Sequence, residues 1–109
     1  MKRVFVVSIM VVALAAFLGT GYTAEQTMGK SGEELFKQHC AVCHPDGGNI
    51  VNPEFTLHTE DLGEHHITKA GDIVKKMRNP GPGMTKFDTS TISDNDAKKI
   101  AEYVLKAFH

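Results

Sequence analysis

The pentapeptide Cys40-Ala41-Val42-Cys43-His44 contains the only two cysteines of this 109-residue chain. Cys-x-x-Cys-His is the pattern by which a c-type haem (heme c) is attached to protein. Two thiols three positions apart can add to the two vinyl groups of one haem, and the adjacent histidine can reach the iron as an axial ligand. The motif therefore predicts one covalent haem per chain, held by Cys40 and Cys43, with His44 on the iron.

Other chemistry of a cysteine pair has to be weighed against haem attachment. A thiol–disulfide oxidoreductase also uses Cys-x-x-Cys, but it needs a strand before the motif and an α/β domain around it, and neither pattern is visible. A zinc site needs further thiolate or imidazole ligands at metal spacing, which the five other histidines do not provide. The sequence favours haem, and thiol chemistry stays open as an alternative.

The N-terminus has the three-part layout of a secretory signal peptide. Lys2 and Arg3 precede an uncharged run from Val4 to Leu18, and small residues follow. This run of 15 residues is shorter than the roughly 20 that a membrane-spanning helix needs. We expect a signal peptide over residues 1–24 and a single exported domain over residues 25–109. Such a protein would act in the periplasm, or in a similar compartment such as a thylakoid lumen, without a stable membrane span.

Apolar periodicity predicts three helices in the exported domain. They are expected over Gly32–His44, over Ile67–Arg78, and from a capping-box-like start at Ser93 and Asp96 along an apolar stripe to Phe108. The intervening stretches, 45–66 and 79–92, are rich in turn-forming residues and are predicted to be loops. Loops this long are unusual in a compact domain unless something packs beneath them. The expected fold class is therefore all-α, with three to four helices wrapped around one haem.

Met84 is the candidate for the sixth iron ligand. It follows Asn79-Pro80-Gly81-Pro82-Gly83, which cannot form a regular helix and can bring a backbone close to another surface. Met77 lies on the apolar stripe of the middle helix, which indicates core packing instead. We expect axial ligation by His44 and Met84, a pair that raises the reduction potential of the iron.

Histidine ligation or an open sixth position would give a different haem protein. His58, His65 and His66 follow the motif, and any of them could give bis-histidine ligation. His39 directly precedes Cys40, and we expect it to point elsewhere on its helix. Without Met84 on the iron, a haem-based sensor or ligand binder becomes the alternative function.

The helical part of the chain resembles the small class I cytochromes c. The likeness covers about residues 29–108 and is strongest to the bacterial and algal subfamily that includes the luminal carrier replacing plastocyanin. Gly32, Phe36 and Cys40 fall four apart, as in the first helix of that family. The resemblance implies that Gly32 and Phe36 meet the last helix near Tyr103.

The loops carry the same resemblance. Gly47-Gly48-Asn49 and Pro53-Glu54-Phe55-Thr56-Leu57 are similar to the loop after the haem motif in that subfamily. Pro53 resembles the family proline whose carbonyl accepts the ring N–H of the histidine ligand. Met84-Thr85-Lys86-Phe87 resembles the M-x-x-F around the distal ligand, although Thr85 stands where proline is common. The segment Asp88-Thr89-Ser90-Thr91-Ile92 also lacks the familiar glycines.

The resemblance implies a one-electron carrier rather than an enzyme. Redox proteins would then be its donors and acceptors, with no nucleic-acid partner and a monomeric state. Residues 25–66 hold two lysines and eight acidic residues, whereas residues 67–109 hold eight basic and five acidic residues. A charge asymmetry of this kind would orient the protein on charged partners and make association sensitive to salt.

The expected walls of the haem pocket are Leu57, Leu62, Ile73, Val74, Met77 and Phe87.

Overall fold

The computed structural model describes residues 29–109, and this part of the chain is all-α. The predicted fold class is confirmed, with four α-helices and no strand among the described residues. A short 3₁₀ helix, Pro45–Gly47, follows the cysteine motif. The predicted signal peptide, residues 1–24, lies outside the described residues. The helices are α1 (Gly32–His39), α2 (Thr59–Glu64), α3 (Ala70–Arg78) and α4 (Asp94–Ala107).

The two terminal helices begin at serine caps. The Ser31 hydroxyl accepts from the backbone N–H of Glu34 at 3.2 Å, and the Glu34 carboxylate accepts from the backbone N–H of Ser31 at 2.7 Å. These hydrogen bonds with Ser31 hold the pKa of Glu34 below its ordinary value. Ser93 caps α4 by accepting from the Asp96 N–H at 3.2 Å, so the predicted start of this helix is confirmed.

Helices α1 and α4 cross at Gly32, as the resemblance implies. A Cβ atom at this position would lie 2.2 Å from the Lys99 carbonyl oxygen, so only glycine lets the two backbones approach this closely. One turn later, the rings of Phe36 and Tyr103 lie 5.4 Å apart between centroids. The core extends from this crossing, and its buried members are Leu35, Phe36, Leu62, Ile73, Met77, Ile92, Ala97, Ile100, Ala101 and Val104.

Two helix boundaries differ from the prediction, and one helix was not predicted. Helix α1 ends at His39 rather than His44, because the chain continues as turns through the motif. Helix α3 begins at Ala70 rather than Ile67, where the Asp72 carboxylate accepts from the backbone N–H groups of Thr68 and Lys69. Helix α2 lies within a predicted loop, and its six residues bury only Leu62, which is too little to show a period.

None of the helices within residues 29–109 is long and apolar enough to cross a membrane.

Candidate functional site

The four predicted site residues lie around one cavity. It has a volume of about 470 Å³, and Cys40, Cys43, His44 and Met84 all line it. Five of the six predicted wall residues line it as well; the exception is Val74, which packs against the edge of the core. Those five are Leu57, Leu62, Ile73, Met77 and Phe87, and the structure adds Phe36, Phe55, Ile67, Ile100 and Val104.

The chemistry of this lining fits a haem. Val51, Phe55 and Met84 line the cavity and are nevertheless 58%, 47% and 38% exposed. Large apolar side chains that project into one cavity gain stability when a broad apolar group covers them. The donor set on the same walls comprises two thiols, an imidazole and a thioether, which are the groups that attach and ligate a c-type haem.

The environment of Cys40 does not suit thiol–disulfide chemistry. No disulfide joins the two cysteines in the described structure. Burial, with a smaller contribution from the nearby Cys43, raises the pKa of the Cys40 thiol to about 11. Redox-active cysteines of exchange enzymes instead have lowered pKa values, because the thiolate is the nucleophile. The burial of Cys40 thus disfavours the thiolate that disulfide exchange needs.

The imidazole of His44 is oriented by the turn that follows it. Its Nδ1 lies 2.7 Å from the carbonyl oxygen of Gly48. A carbonyl only accepts, so Nδ1 carries the hydrogen and donates it, which leaves the Nε2 lone pair available to a metal. We call residues 44–48 the proximal turn. Its chain reversal passes through two positive φ angles, 53° at Asp46 and 79° at Gly47.

The predicted acceptor for this N–H, Pro53, was wrong. The 3₁₀ helix directly after the histidine brings the carbonyl of Gly48 to Nδ1 within four residues, so the longer loop is not needed. The sequence Pro45-Asp46-Gly47-Gly48 indicates this turn. Proline fixes φ, aspartate tolerates a left-handed backbone, and glycine adopts positive φ without steric cost.

Met84 lies on a segment that we call the distal strap, residues 79–87. Gly83 precedes it with φ of 92°, a conformation that favours glycine. The end of the strap is fixed to α3, where the Phe87 N–H donates to the Met77 carbonyl at 2.9 Å and Arg78 Nη1 donates to the Phe87 carbonyl at 3.1 Å. Met77 is only 4% exposed and belongs to the core, as predicted.

Two further histidines reach the cavity. His39 lines it, with its ring 6.2 Å from that of Phe87, so the expectation that it points elsewhere was wrong. His65 also lines the cavity, and its ring stacks on that of Phe55 with 4.4 Å between the ring centroids. His58 instead lies 6.1 Å from the ring of Phe108, outside the lining. The bis-histidine alternative is thereby reduced to His65 and His39.

This chain matches a family model for cytochrome oxidase subunits and relatives that are cytochromes of the c type. The family described as "Cytochrome C oxidase, cbb3-type, subunit III" matches residues 27–104. Cytochrome c6 of Cyanidium caldarium is 31% identical over 100 residues, covering 92% of this chain and 90% of that protein. Cytochrome c6 of Synechocystis sp. is 34% identical over 92 residues, covering 84% of this chain and 76% of that protein.

Solved structures with the same fold include two small cytochromes. The outer membrane cytochrome F of Geobacter sulfurreducens is 47% identical, with a TM-score of 0.71, and the match covers 72% of this chain and 100% of that one. Cytochrome c6C of Synechococcus sp. PCC 7002 is 26% identical, with a TM-score of 0.66, and the match covers 71% of this chain and 93% of that one.

Proposed function

Because this chain belongs to the cytochrome c family, within the c6 subfamily of small monohaem electron carriers, we propose that His44 and Met84 are its axial iron ligands. Members of this family transfer electrons through one covalently bound c-type haem. The attachment points that we propose are Cys40 and Cys43. One observation carries this assignment: all four side chains line the same largely apolar cavity.

Each of these residues has a distinct task in the proposed carrier. The haem, when bound, supplies an iron that gains and loses one electron. The hydrogen bond from His44 to Gly48 fixes the tautomer that presents Nε2 to the iron. The thioether of Met84 raises the reduction potential. The apolar walls, including the buried Leu62 and Ile73, keep water away from the site.

Electron exchange with a partner protein requires that one edge of the haem site be accessible from solvent. Val42 and Val51 line the cavity and are 77% and 58% exposed, so they form an apolar rim where the site meets solvent. We infer that a redox partner approaches at this rim and that the electron is transferred by an outer-sphere mechanism, in which no ligand bridges the two redox centres. The protein would thus be a carrier between redox proteins, rather than an enzyme.

Basic and acidic side chains are exposed on different elements of the described domain. Lys75, Lys76 and Lys86 are exposed and Lys76 lines the cavity, whereas Glu60 and Glu64 are exposed on α2. An asymmetry of this kind steers charged partners and weakens as salt screens it. We expect the second-order rate of electron exchange with a charged partner to change steeply with ionic strength, as measured by stopped-flow spectroscopy.

The exported location remains part of the proposal. The N-terminal pattern of residues 1–24 supports secretion to the periplasm or a thylakoid lumen. Mass spectrometry of the mature protein tests this, because cleavage would remove the apolar segment and attachment would add the mass of one haem.

Met84→Ala and Met77→Ala test the ligand assignment as a matched pair. We expect Met84→Ala to lose the weak long-wavelength band of oxidised His/Met-ligated haem and to have a lower reduction potential. The fall should be on the order of 0.1 V, within the range of about 0.8 V that axial ligands span. Met77→Ala should keep the band and lose stability, by about 2–5 kcal/mol, because it creates a cavity in the core.

The same spectra distinguish the alternatives. A wild-type protein without the long-wavelength band, whose spectrum changes in His65→Ala or His39→Ala, would indicate bis-histidine ligation instead. Immediate binding of carbon monoxide by the reduced wild type would indicate an open sixth position and a ligand-binding function.

A further inference from the structure

Phe108 is held in place by backbone hydrogen bonds and by contacts of its ring. Phe108 is the C-cap residue directly after α4, and its carbonyl accepts from the backbone N–H of Thr59 at 3.1 Å and from the Thr59 hydroxyl at 2.7 Å. Its ring lies 5.3 Å from that of Phe36 and 5.9 Å from that of Tyr103. These contacts give the ring a defined position against the start of α2 and the crossing of α1 with α4.

This ring covers the backbone of the proximal turn. A Cβ atom built on Gly47 would lie 2.5 Å from both Cγ and Cδ1 of Phe108, so the ring is in contact with the Gly47 backbone. Gly47 is buried, and its φ of 79° already favours glycine. Its N–H donates to the His44 carbonyl at 3.1 Å, and its carbonyl accepts from Leu57 at 2.7 Å.

The residue after Gly47 holds the imidazole. The Gly48 carbonyl accepts from Nδ1 of His44 at 2.7 Å, and the Gly48 N–H donates to the Pro45 carbonyl at 2.9 Å within the same turn. Gly48 is joined to Gly47 by a peptide bond and has no side chain that packs against the rest of the domain. A shift of the Gly47 backbone would therefore move the acceptor. The strength of such a bond sets how strongly the imidazole donates to a metal.

We propose that Phe108 is a positioning residue for His44: by holding Gly47, it keeps the Gly48 carbonyl on the imidazole N–H and so tunes the potential of the site. This inference rests on the proposed ligation by His44. A weaker hydrogen bond makes the imidazole a poorer donor, which favours the reduced state of the iron and raises the potential.

Phe108→Ala in the haem-loaded protein tests this role by two readouts, the exchange of one ring N–H and the reduction potential, which are compared with a variant that loses only packing. We expect the Nδ1–H of His44 to exchange with solvent roughly fivefold to tenfold faster in the reduced protein, as measured by NMR, because one hydrogen bond is weakened. The reduction potential should rise. Thr59→Val removes one anchor of the Phe108 carbonyl and should shift both quantities in the same direction, by less.

Two control variants separate positioning from packing. Phe108→Tyr should behave like the wild type, because the nearest atoms to Gly47 are Cγ and the two Cδ atoms, far from the para position. Leu105→Ala removes a half-buried contact from the same helix and should lower stability without changing exchange or potential.

Each negative result points to a different claim. If Phe108→Ala matches Leu105→Ala in both exchange and potential, the positioning role is wrong. If the wild type lacks a haem-shifted His44 resonance altogether, ligation by His44 is wrong, and the proposed function fails before the role of Phe108 is reached.

Discussion

The proximal turn and the distal strap supply the two proposed ligands by opposite means. Within the proximal turn, backbone hydrogen bonds join Gly47 to His44 and Gly48 to Pro45. The interior of the distal strap, residues 80–86, has one long backbone bond in the described structure, from Met84 to Gly81 at 3.5 Å. Gly47 is buried under Phe108, whereas Met84 is 38% exposed.

This contrast indicates how each ligand is held. Local hydrogen bonds and burial give the proximal turn a rigid geometry before any metal is bound. The distal strap is anchored at its ends and depends on contact with the cavity for the position of its centre. Segments with few internal bonds open with low free energy. We therefore expect Met84, rather than His44, to be the ligand that dissociates first under mild denaturation.

The first comparison is between His44→Ala and Met84→Ala, each of which removes one of the two proposed axial ligands. Each variant loses one proposed ligand, but His44→Ala also leaves the half-buried Gly48 carbonyl without its donor. An unsatisfied group of this kind costs about 1–3 kcal/mol. His44→Ala should therefore be less stable than Met84→Ala by about this amount, as measured by guanidinium unfolding followed by circular dichroism. Equal stabilities would contradict the rigid proximal turn.

Two glycines with positive φ provide the next comparison. Gly47→Ala places a Cβ 2.5 Å from the Phe108 ring as well as imposing a strained φ, whereas Gly83→Ala meets only the Val51 side chain at 3.0 Å. We expect a loss of about 2–4 kcal/mol for Gly47→Ala and about 1–2 kcal/mol for Gly83→Ala. Gly81→Ala, with nothing within 4 Å, is the control and should be nearly neutral. A larger loss at Gly83 would reverse the comparison.

The two regions also differ in how far the sequence could predict them. Met84 and its Pro/Gly-rich strap were predicted because proline and glycine exclude regular helix at that position. The motif predicted His44, but the acceptor of its N–H was assigned to Pro53 and not to Gly48. The choice between two carbonyls depends on a tight turn whose register only the folded backbone determines.

The helices show the same division. The long α4 and its cap at Ser93 were predicted because 14 residues contain several periods of an apolar stripe. Helix α2 was missed because six residues contain too few. The contact of Phe108 with Gly47 joins residues far apart in the chain, and no local pattern reports such a pair.

Arg78→Ala tests the anchor of the distal strap. The guanidinium donates to the Phe87 carbonyl at 3.1 Å and to the Asp94 carboxylate at 2.8 Å. We expect a loss of about 1–2 kcal/mol, because a hydrogen bond from a charged donor is removed from a half-buried carbonyl. Oxidised Arg78→Ala should also bind added imidazole faster, since the strap opens more often.

Asp94→Asn is the matched control for this anchor. It removes the ion pair but keeps the bond to Phe87, and the Asp94 side chain is 84% exposed, so its effect on stability should be within about 0.5 kcal/mol. If Asp94→Asn accelerates imidazole binding as much as Arg78→Ala does, the ion pair rather than the contact with Phe87 holds the strap.

The smallest expected effect is a pH dependence of the turn that follows the distal strap. The Asp88 carboxylate, just after the strap, accepts from the N–H groups of Ser90 and Thr91 at 3.1 and 3.0 Å and from both hydroxyls. These bonds, that of the Ser90 hydroxyl foremost, lower the pKa of Asp88 below its ordinary 3.8. The stabilisation is therefore present above that ordinary pKa and is lost as the pH falls through the lowered value.

Asp88→Asn should thus be less stable than the wild type at neutral pH, and the difference should shrink as the pH falls below the ordinary pKa of the carboxyl group. Urea unfolding at a series of pH values measures it. Gly47→Ala is the control, because its loss of stability arises from φ strain and contact with Phe108, and neither of these changes with pH. Its difference from the wild type in free energy of unfolding should therefore stay constant. A difference for Asp88→Asn that is equally constant would mean that the carboxylate charge contributes nothing to the turn. The two sides of the site would then differ in mobility but not in their response to acid.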